Sequence, residues 1–378
     1  MEHFIPLSVP NLNGNELQYV TEAVKTEWLS TGGACISRFE QEFAEYAQVP
    51  EATAVQSGTA ALHLSMIACG IGAGDLVIAP TLTFIAAVNP ICYVGAEPVF
   101  MDCDDSLCID PVKLEQYLSE ECEERGGKHY DKMLDKPVKA IVIVHIFGNG
   151  ADMERIMVLA ALYNLPVIED ASEAVGTFFI TGKYKGQMAG TIGNYGTYSF
   201  NGNKIITTGG GGMLVARKTE HVKYAKHLST QAKSDELYFD HDYIGYNYRM
   251  TNLQAAVGVA QLEQLAKFIN VKKRNYEYYK ELGIDLMPFS NHVRPNYWFY
   301  SYMSDNLNRL MKHLEKCHVQ ARPVWKLIHT LPMYKHCRTY DISEATKYHK
   351  KIINIPCSSN LRNMDVERVA ALIKGFEE

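Results

Sequence analysis

Short apolar runs alternate along the first half of the chain with segments whose apolar residues recur at helical spacing. The runs predict buried strands at 52–55, 76–80, 97–102, 140–145 and 167–168. The segments between them, including 111–123 and 153–163, predict helices. Buried strands that alternate with helices are typical of a mostly parallel sheet with helices on both faces. The pattern therefore predicts an α/β fold.

Two helices at the N-terminus are predicted to pack against this domain. Apolar residues from Leu17 to Trp28 recur at helical spacing within 13–28. Phe39 and Phe43 lie four residues apart, on one face of the next helix. We expect both apolar faces to be buried.

The second half of the chain predicts a change of domain. Thr251 is a candidate cap for a helix at 252–266, and a tyrosine-rich helix at 271–282 follows it. We interpret the second helix as the bridge to a smaller C-terminal α+β part. The predicted domains are a large one at 1–270 and a linker helix with a small domain at 271–378.

Composition and charge exclude several classes of partner. The 378 residues carry a formal net charge of −6, which argues against nucleic-acid binding. The chain shows no apolar run of membrane-spanning length and no apparent signal peptide. Its nine cysteines are scattered without a CxxC pattern, so we expect thiols and not metal ligands. The expectation is a cytoplasmic protein without metal, nucleic-acid or membrane partners.

Candidate chemistry is concentrated in the stretch 166–215. A predicted strand ends in Glu169 and Asp170, and a second strand at 195–200 leads into a turn that carries Lys204 and four glycines. An acid at a strand end and a lysine on a tight turn suit an aldehyde cofactor. One residue must hold its ring nitrogen, and another must form an imine with it. A buried strand, an exposed lysine and a flexible glycine loop would explain the same residues.

The loops that follow the predicted strands supply the other groups such a cofactor needs. Ser57, Gly58 and Thr59 begin a helix whose N–H groups could bind phosphate, although an ordinary capped helix also accounts for them. In open parallel sheets, ligands bind outside the carboxyl ends of the strands. The loops expected there carry Ser57, Gly58, Thr59, Phe84, His145, Asp170, Glu173, Ser199 and Lys204. This set of groups predicts pyridoxal 5′-phosphate.

Seven motifs, in order along nearly the whole chain, resemble the DegT/DnrJ/EryC1/StrS family of sugar-nucleotide aminotransferases. They are SGTAALHL (57–64), TLTFIAAVNPI (81–91), HIFGNGADM (145–153), IEDASEAVG (168–176), YSFNGNKIITTGGGGML (198–214), GYNYRMTNLQAA (245–256) and ARPVWKLIH (321–329). The resemblance implies the aspartate-aminotransferase-like fold of type I pyridoxal-phosphate enzymes. It also implies a transaminase that uses pyridoxal 5′-phosphate.

The family's catalytic positions are implied at two residues of this chain. Lys204 matches the Schiff-base lysine, and Asp170 matches the carboxylate on the pyridine nitrogen of the cofactor. Glu173 lies where the family has Gln, His or Glu near the phenolic oxygen. An acid beside a phenolate is expected to be protonated or paired.

Other positions are implied to bind the cofactor and the substrate. The implied phosphate ligands are Gly58, Thr59 and Ser199, and Phe84 matches the aromatic residue that stacks on the ring. Asn247 matches an asparagine that reaches the phosphate from the neighbouring subunit, which implies a homodimer with shared active sites. Arg249, Arg322 and His329 lie in motifs that line the sugar-nucleotide side of the cleft.

The resemblance implies a reaction as well as a cofactor. An amino acid, expected to be glutamate, would donate its amino group to a nucleotide-linked 4-keto-6-deoxysugar. The motifs look most like C4-aminotransferases for UDP-2-acetamido-4-keto-2,6-dideoxyglucose, which supply bacillosamine and legionaminic-acid pathways. GDP-perosamine synthases are the alternative within this class. A cofactor-bound regulatory protein is the alternative from another class, but the chain has neither a helix-turn-helix domain nor a basic stripe.

Overall fold

Helices and strands alternate through residues 3–235 and 237–377, which the computed structural model describes. The helices are α1 Glu16–Lys25, α2 Ala34–Ala47, α3 Gly58–Ala68, α4 Asn89–Tyr93, α5 Pro111–Gln116, α6 Met153–Leu162, α7 Thr219–Ser229, α8 Asn252–Glu281, α9 Leu307–Lys316, α10 Ser343–His349 and α11 Asn363–Glu377. The strands are β1 Ala52–Val55, β2 Leu76–Pro80, β3 Glu97–Met101, β4 Cys122–Arg125, β5 Lys128–Asp131, β6 Lys136–Val144, β7 Val167–Asp170, β8 Phe178–Phe179, β9 Tyr195–Ser199, β10 Gly212–Ala216, β11 Val293–Arg294, β12 Tyr300–Met303, β13 Arg322–Pro323, β14 Thr339–Tyr340 and β15 Ile352–Ile355.

One large sheet positions the rest of the molecule. Its strand order is β1-β10-β9-β7-β6-β2-β3-β14. Neighbours from β9 to β14 are parallel, whereas β10 runs antiparallel to both β1 and β9. Because β10 alone is reversed in this order, the carboxyl ends of the other strands reach the same edge of the sheet. The predicted α/β fold with a mostly parallel sheet is confirmed.

Helix α2 packs as its apolar face predicts. Phe39 and Phe43 are fully buried. Their rings lie 5.1 Å and 5.8 Å from the ring of Phe200, and the ring of Phe43 lies 4.9 Å from that of Tyr198. Aromatic contacts at this spacing stabilise the core beyond the area they bury. They also support the strand and turn that precede Lys204.

Helix α1 does not pack as predicted. Leu17 is 81% exposed and Trp28 is 61% exposed, while Glu16 and Ala23 are buried. The carboxylate of Glu16 accepts hydrogen bonds from the Gly14 N–H and from the side-chain amide of a glutamine on α8. These polar contacts turn the opposite face of the helix inward. The expectation that the face from Leu17 to Trp28 is buried is therefore wrong for the single chain.

The helix predicted at 111–123 is too long. Helix α5 ends at Gln116, a short π-helical segment spans Tyr117–Glu121, and β4 begins at Cys122. Strands β4 and β5 form a hairpin whose second strand pairs with β6. Asp131 in β5 is buried and accepts the hydroxyl hydrogen of Tyr117 at 2.8 Å. This contact fixes the hairpin against the end of the helix.

The two helices predicted at 252–266 and 271–282 are one continuous helix, α8. Thr251 caps it, because its hydroxyl accepts from the Gln254 N–H while the Gln254 side chain accepts from the Thr251 N–H. No glycine or proline separates the two predicted segments, so nothing interrupts the helix. Within residues 3–235 and 237–377, no helix has the length and apolarity needed to cross a membrane.

The C-terminal part forms its own sheet and then returns to the large one. Strands β12, β15 and β13 pair in that order, while β14 extends the large sheet beside β3. The buried carboxylate of Asp102 accepts from the N–H groups of Glu344 and Ala345 at the start of α10. The predicted domain division at 270/271 falls inside α8 and stays a prediction. The outer ends of both predicted domains, residues 1–2 and 378, lie outside the described residues.

Two glycine-to-alanine substitutions should separate helix propensity from packing. A Cβ atom at Gly258 in α8 would lie 2.8 Å from the ring of Phe39, whereas one at Gly375 in α11 would meet nothing within 4 Å. Alanine favours a helix by about 1 kcal/mol over glycine, but overpacking a core costs roughly 1–3 kcal/mol. We expect Gly258→Ala to lower the melting temperature measured by circular dichroism. The control Gly375→Ala should leave it unchanged or raise it, and equal shifts in both variants would contradict the packing explanation.

Candidate active site

A cavity of about 320 Å³ opens at the carboxyl edge of the large sheet. It is lined by Ser57, Gly58, Thr59, Leu62, Thr83, Phe84, Ala86, Val144, Asp170, Ser172, Glu173, Ser199, Asn201, Asn203, Lys204, Gly210, Gly211, Trp298 and Trp325. Seven residues that the sequence predicts as cofactor ligands are therefore brought together. These seven are Gly58, Thr59, Phe84, Asp170, Glu173, Ser199 and Lys204.

The two acids at the end of β7 face opposite environments. Asp170 lines the cavity, and one of its carboxylate oxygens accepts from the Ser172 N–H at 3.0 Å. Glu169 is fully buried, accepts from the N–H groups of Gly190 and Ile192, and pairs with His145 at 2.8 Å. Side chains alternate across a strand, so neighbouring acids must point to opposite faces. Asp170 is therefore available to a ligand, while Glu169 serves the structure.

His145 is not part of the cavity lining, contrary to the expectation that its loop would contribute it. Its Nε2 contacts the Glu169 carboxylate, and its Nδ1 accepts from the Ala151 N–H at 3.2 Å. Both ring nitrogens are thus engaged in the protein interior. His145 holds the loop after β6 and is not positioned to contact a ligand.

Lys204 ends beside a carboxyl group and an aromatic ring. Its backbone N–H donates to the Asn201 carbonyl at 2.9 Å, which closes the turn after β9. Its Nζ lies 3.5 Å from Oε1 of Glu173 and 4.1 Å from the centre of the Trp298 ring. Its side chain is only 11% exposed. The lysine is therefore mostly shielded from water at the floor of the cavity.

Glu173 holds its proton more tightly than an ordinary glutamate. Burial raises the pKa of its carboxyl to about 7, although the Lys204 charge and the Phe147 N–H act to lower that pKa. The Phe147 N–H donates to Oε2 of Glu173 at 2.7 Å. Phe147 itself has a φ of 57°, in the left-handed region. The sequence-based expectation of a protonated or paired acid agrees with this geometry.

The start of α3 and the glycine run form a closely packed cradle. The Ser57 hydroxyl accepts from the Ala60 N–H at 3.0 Å and caps the helix. A Cβ atom at Gly58 would lie 2.9 Å from Cβ of Ser199, and one at Gly212 would lie 2.5 Å from the carbonyl carbon of Ser57. Only glycine fits where two backbones approach this closely. A helix start with glycine at its first position and hydroxyl side chains beside it is suited to a phosphate group.

The residues of the cavity fit pyridoxal 5′-phosphate. The cavity is large enough for a small aromatic ring, the cradle offers a phosphate site, and the buried Asp170 offers an anion for a ring nitrogen. Lys204 supplies the single amine of the lining, and Phe84, which is 47% exposed, supplies an aromatic ring. The described residues contain no group of three or more His, Cys, Asp or Glu side chains arranged to hold a metal ion.

Four predicted ligands lie outside the cavity lining. Asn247 is exposed, and Arg322 is exposed on β13. His329 contacts the hydroxyl of Thr81 at 2.7 Å through Nδ1, and burial lowers its pKa. Arg249 is buried, and its guanidinium binds both carboxylate oxygens of Glu40. The ligand roles of these four residues stay predictions.

Sequence reasoning missed two tryptophans of the cavity. Trp325 lies 5.7 Å from Phe84 and 5.2 Å from Phe147, ring centre to ring centre. Its presence in the motif ARPVWKLIH was an available signal. Trp298 comes from the loop before β12, and no sequence signal connects that loop with Lys204. Ser172, Asn201 and Asn203 were also missed.

The fold and the site together define a pyridoxal-phosphate enzyme of the aminotransferase type. Residues 10–374 match the DegT/DnrJ/EryC1/StrS aminotransferase family. The chain belongs to this family and is a pyridoxal-phosphate-dependent transaminase with the expected type I fold. Both the recognition of the family and the cofactor prediction are confirmed, and nothing in the comparisons favours the regulatory alternative.

Individual relatives cover nearly the whole chain. The chain is similar to the GDP-perosamine synthase of Escherichia coli O157:H7, with 39% identity over 380 residues, 99% of this chain and 98% of that protein. It is 29% identical, over 97% of its length and 95% of the relative's, to the UDP-4-amino-4,6-dideoxy-N-acetyl-beta-L-altrosamine transaminase of Campylobacter jejuni. A crystal structure of a DegT DnrJ EryC1 StrS aminotransferase from Brucella abortus superposes with a TM-score of 0.88 at 26% identity, over 96% of this chain and 95% of that one.

The raised pKa of Glu173 predicts a pH dependence of stability in the cofactor-free protein. The folded state binds this proton more tightly than the unfolded chain, so the stabilisation is complete below pH 4.5 and is lost as the pH rises through about 7. Glu173→Gln removes the titration and keeps an acceptor for the Phe147 N–H. We expect the variant to gain roughly 3 kcal/mol over the wild type across this interval.

Urea unfolding of the wild type and both variants at several pH values measures this difference. Glu124→Gln, at an exposed position, is the matched control and should show no such gain. A constant stability difference between Glu173→Gln and the wild type from pH 4.5 to 7 would show that Glu173 does not titrate in this range.

Proposed function

We propose that the protein aminates a nucleotide-linked 4-keto-6-deoxysugar, specifically UDP-2-acetamido-4-keto-2,6-dideoxyglucose, with glutamate as the amino donor. The observation that carries the proposal is the convergence of Lys204, Asp170 and Glu173 with the start of α3 in one cavity. This arrangement supports transamination. The name of the Campylobacter jejuni relative, a transaminase of a UDP-linked amino sugar, supports the substrate class.

Two residues are assigned the central chemistry. Pyridoxal 5′-phosphate, when bound, supplies an aldehyde that accepts an amino group and a ring that withdraws electrons. Asp170 would hold the proton on the ring nitrogen of this group, since a buried carboxylate favours the charged pyridinium. Lys204 would be the residue that binds its aldehyde, and its free Nζ could take the α-proton of the donor as a general base and return a proton as a general acid.

The remaining cavity residues orient the cofactor. Gly58, Thr59 and Ser199, which line the cavity, would hold the phosphate group, and Phe84 would lie against the ring face. Glu173, whose pKa is raised to about 7, would lie near the phenolic oxygen, where its proton could stabilise negative charge. The shielded position of Lys204 limits competing hydrolysis by water. On the nucleotide side of the cleft, Arg322 and His329 remain the assigned candidates, whereas a ligand role for Arg249 would require its guanidinium to leave the Glu40 carboxylate.

A specific observation favours a second substrate within the same reaction class. The Escherichia coli relative at 39% identity is named a GDP-perosamine synthase. A GDP-linked 4-keto-6-deoxysugar is therefore the alternative substrate. The chemistry at Lys204 and Asp170 would be the same, because both substrates carry the reacting keto group at C4 of the sugar.

A substrate panel distinguishes the two. We expect amination of the UDP-linked acetamido sugar in an assay of UDP-, GDP- and dTDP-linked 4-keto-6-deoxysugars with glutamate. Turnover of the GDP sugar alone would replace the preferred substrate by the alternative. Replacement of glutamate by other amino acids in the same assay tests the donor.

Lys204→Ala should abolish this turnover. The loss of the amine removes the general acid and base, which are worth about 100-fold to 10,000-fold in rate. Product formation by liquid chromatography measures the effect. Lys183→Ala, at an exposed lysine, is the control and should retain the wild-type rate. Undiminished turnover of Lys204→Ala would show that another amine performs the chemistry.

We further propose a homodimer in which Asn247 binds the phosphate group in the neighbouring subunit. Asn247 is exposed and lies outside the cavity of its own chain. The preceding loop exposes large apolar side chains, such as Tyr238 at 76% and Ile244 at 86%. Contiguous apolar surface of this kind favours burial against another protein. A second copy would cover the loop and bring Asn247 to the cofactor.

Two substitutions test the shared site. Ile244→Asp should shift the protein from dimer to monomer in sedimentation velocity, because it places a charge in the covered surface. Met133→Asp changes an apolar, exposed residue in the turn between β5 and β6 and should leave the dimer intact. Asn247→Ala should remain dimeric and bind the cofactor about tenfold more weakly, as expected for one lost hydrogen bond to a charged group. Cofactor titration gives the affinity. An unchanged affinity would show that Asn247 does not bind the phosphate group.

A further inference from the structure

The indole of Trp298 lies directly at the end of the Lys204 side chain. Lys204 Nζ is 4.1 Å from the centre of the Trp298 ring, and Trp298 is fully buried. A cation over an indole face is attracted by the quadrupole of the ring, and the attraction grows when water is excluded. Since the lysine side chain is only 11% exposed, the attraction between its amine and the indole is expected to be stronger than at an exposed site.

Trp298 is itself held rigidly in place. Its Nε1–H donates to the Asn203 carbonyl at 2.8 Å, one residue before Lys204. Its backbone N–H donates to the Asn296 side chain at 2.9 Å, and its ring stacks on Phe299 at 3.8 Å. The indole is therefore tied to the turn that carries the lysine as well as to the loop before β12.

The same network reaches the backbone of Glu173, whose carboxyl group lies 3.5 Å from the Lys204 amine. The side-chain amide of Asn296 donates to the carbonyl oxygens of Glu173 and Val175 at 2.8 Å and 3.0 Å. A Cβ atom at Gly148 would lie 1.9 Å from the Asn296 oxygen, so glycine is needed there for this contact. The positions of Trp298 and Glu173 relative to Lys204 are thus set together.

We propose that Trp298 is a positioning residue for Lys204, with the ring holding the charged amine whenever the lysine is free of the cofactor. The attraction is specific to the protonated amine, which is the form that exists after Lys204 has taken a proton. Trp298 therefore stabilises the product of proton abstraction and the transition state that leads to it. This inference rests on the role of Lys204 given in the proposed function.

Chemical labelling of the cofactor-free protein tests the contact without any turnover. We expect Trp298→Leu to raise the rate at which acetic anhydride modifies Lys204 by about 10- to 30-fold, because the amine loses both its cover and the attraction of the ring. Mass spectrometry of each lysine gives the rates. Trp298→Phe keeps an aromatic face and should show a smaller rise. An unchanged Lys204 rate in Trp298→Leu would overturn the proposal.

Lys272 reports on the fold in the same experiment. Its amine is buried on α8 and donates to the Cys357 carbonyl. Its labelling should stay at the wild-type rate in both variants. A parallel rise at Lys272 and Lys204 in both variants would mean that Trp298 serves the fold as a whole, which also overturns the proposal.

Single-turnover kinetics of the loaded enzyme test the consequence for proton transfer. With glutamate, Trp298→Leu should slow the change in cofactor absorbance about tenfold or more, with the deuterium isotope effect of α-deuterated glutamate at least as large as in the wild type. Affinity for pyridoxamine 5′-phosphate, which forms no bond to lysine, should change less than about threefold. A slower rate with a smaller isotope effect, or with lost affinity, would contradict a role in proton transfer.

Failure of the proposed function gives a different result. Borohydride reduction of the loaded wild type, followed by peptide mapping, identifies the lysine that binds the cofactor. Reduction onto another lysine would refute the assignment of Lys204, whatever the labelling of the Trp298 variants. Reduction onto Lys204 with equal labelling in the wild type and Trp298→Leu would refute the inference alone.

Discussion

A mostly buried amine and a buried carboxyl group lie side by side at the carboxyl edge of the sheet, and the site depends on how that burial is tolerated. Isolated buried charges cost several kcal/mol each. Here the carboxyl of Glu173 retains its proton to about pH 7, and the amine of Lys204 faces both this carboxyl and an indole ring. The charge of the pair can therefore change at little cost near neutral pH. A site that moves protons needs this property.

Two other buried acids, Glu169 and Glu40, are held by fixed partners within the protein. Glu169 accepts from backbone N–H groups and contacts His145, and Glu40 is paired with Arg249. Burial acts to raise the pKa of Glu40, but the hydrogen bonds and the charge of Arg249 lower it by more. The pKa of Glu40 is therefore below its usual value. These acids hold loops and strands in place. These two acids serve the structure, whereas Glu173, with its pKa raised to about 7, can gain or lose a proton near neutral pH.

Close backbone approach is the second constraint on the site. The start of α3, the end of β9 and the start of β10 pack so tightly that side chains at Gly58 and Gly212 would collide with their neighbours. Gly211 has a φ of 138°, which a residue with a side chain rarely adopts. The glycine run after Lys204 thus serves both as a turn and as part of the wall behind the cradle. Its role is one of shape, since it brings β10 against the helix start.

Local patterns in the chain were sufficient to predict the sheet, the seven cavity residues and the cofactor. Apolar runs and helical spacing are short-range signals, and parallel strands bring their carboxyl ends to one edge whatever the details of packing. Asp170 and Lys204 lie at the ends of such strands, so their meeting follows from topology. The same reasoning identified Ser57 as a cap, because its hydroxyl bonds within its own turn.

Long-range packing decided the rest. The pattern of α1 could not show that Glu16 faces inward, since its partner is Gln261 on α8, 245 residues along the chain. It could not place Arg249 against Glu40 or His145 against Glu169, because a charged side chain in a sequence carries no information about its distant partner. Trp298 is the clearest case. Its contact with Lys204 joins segments 94 residues apart, and only the packing of the C-terminal part against the large sheet brings the two together.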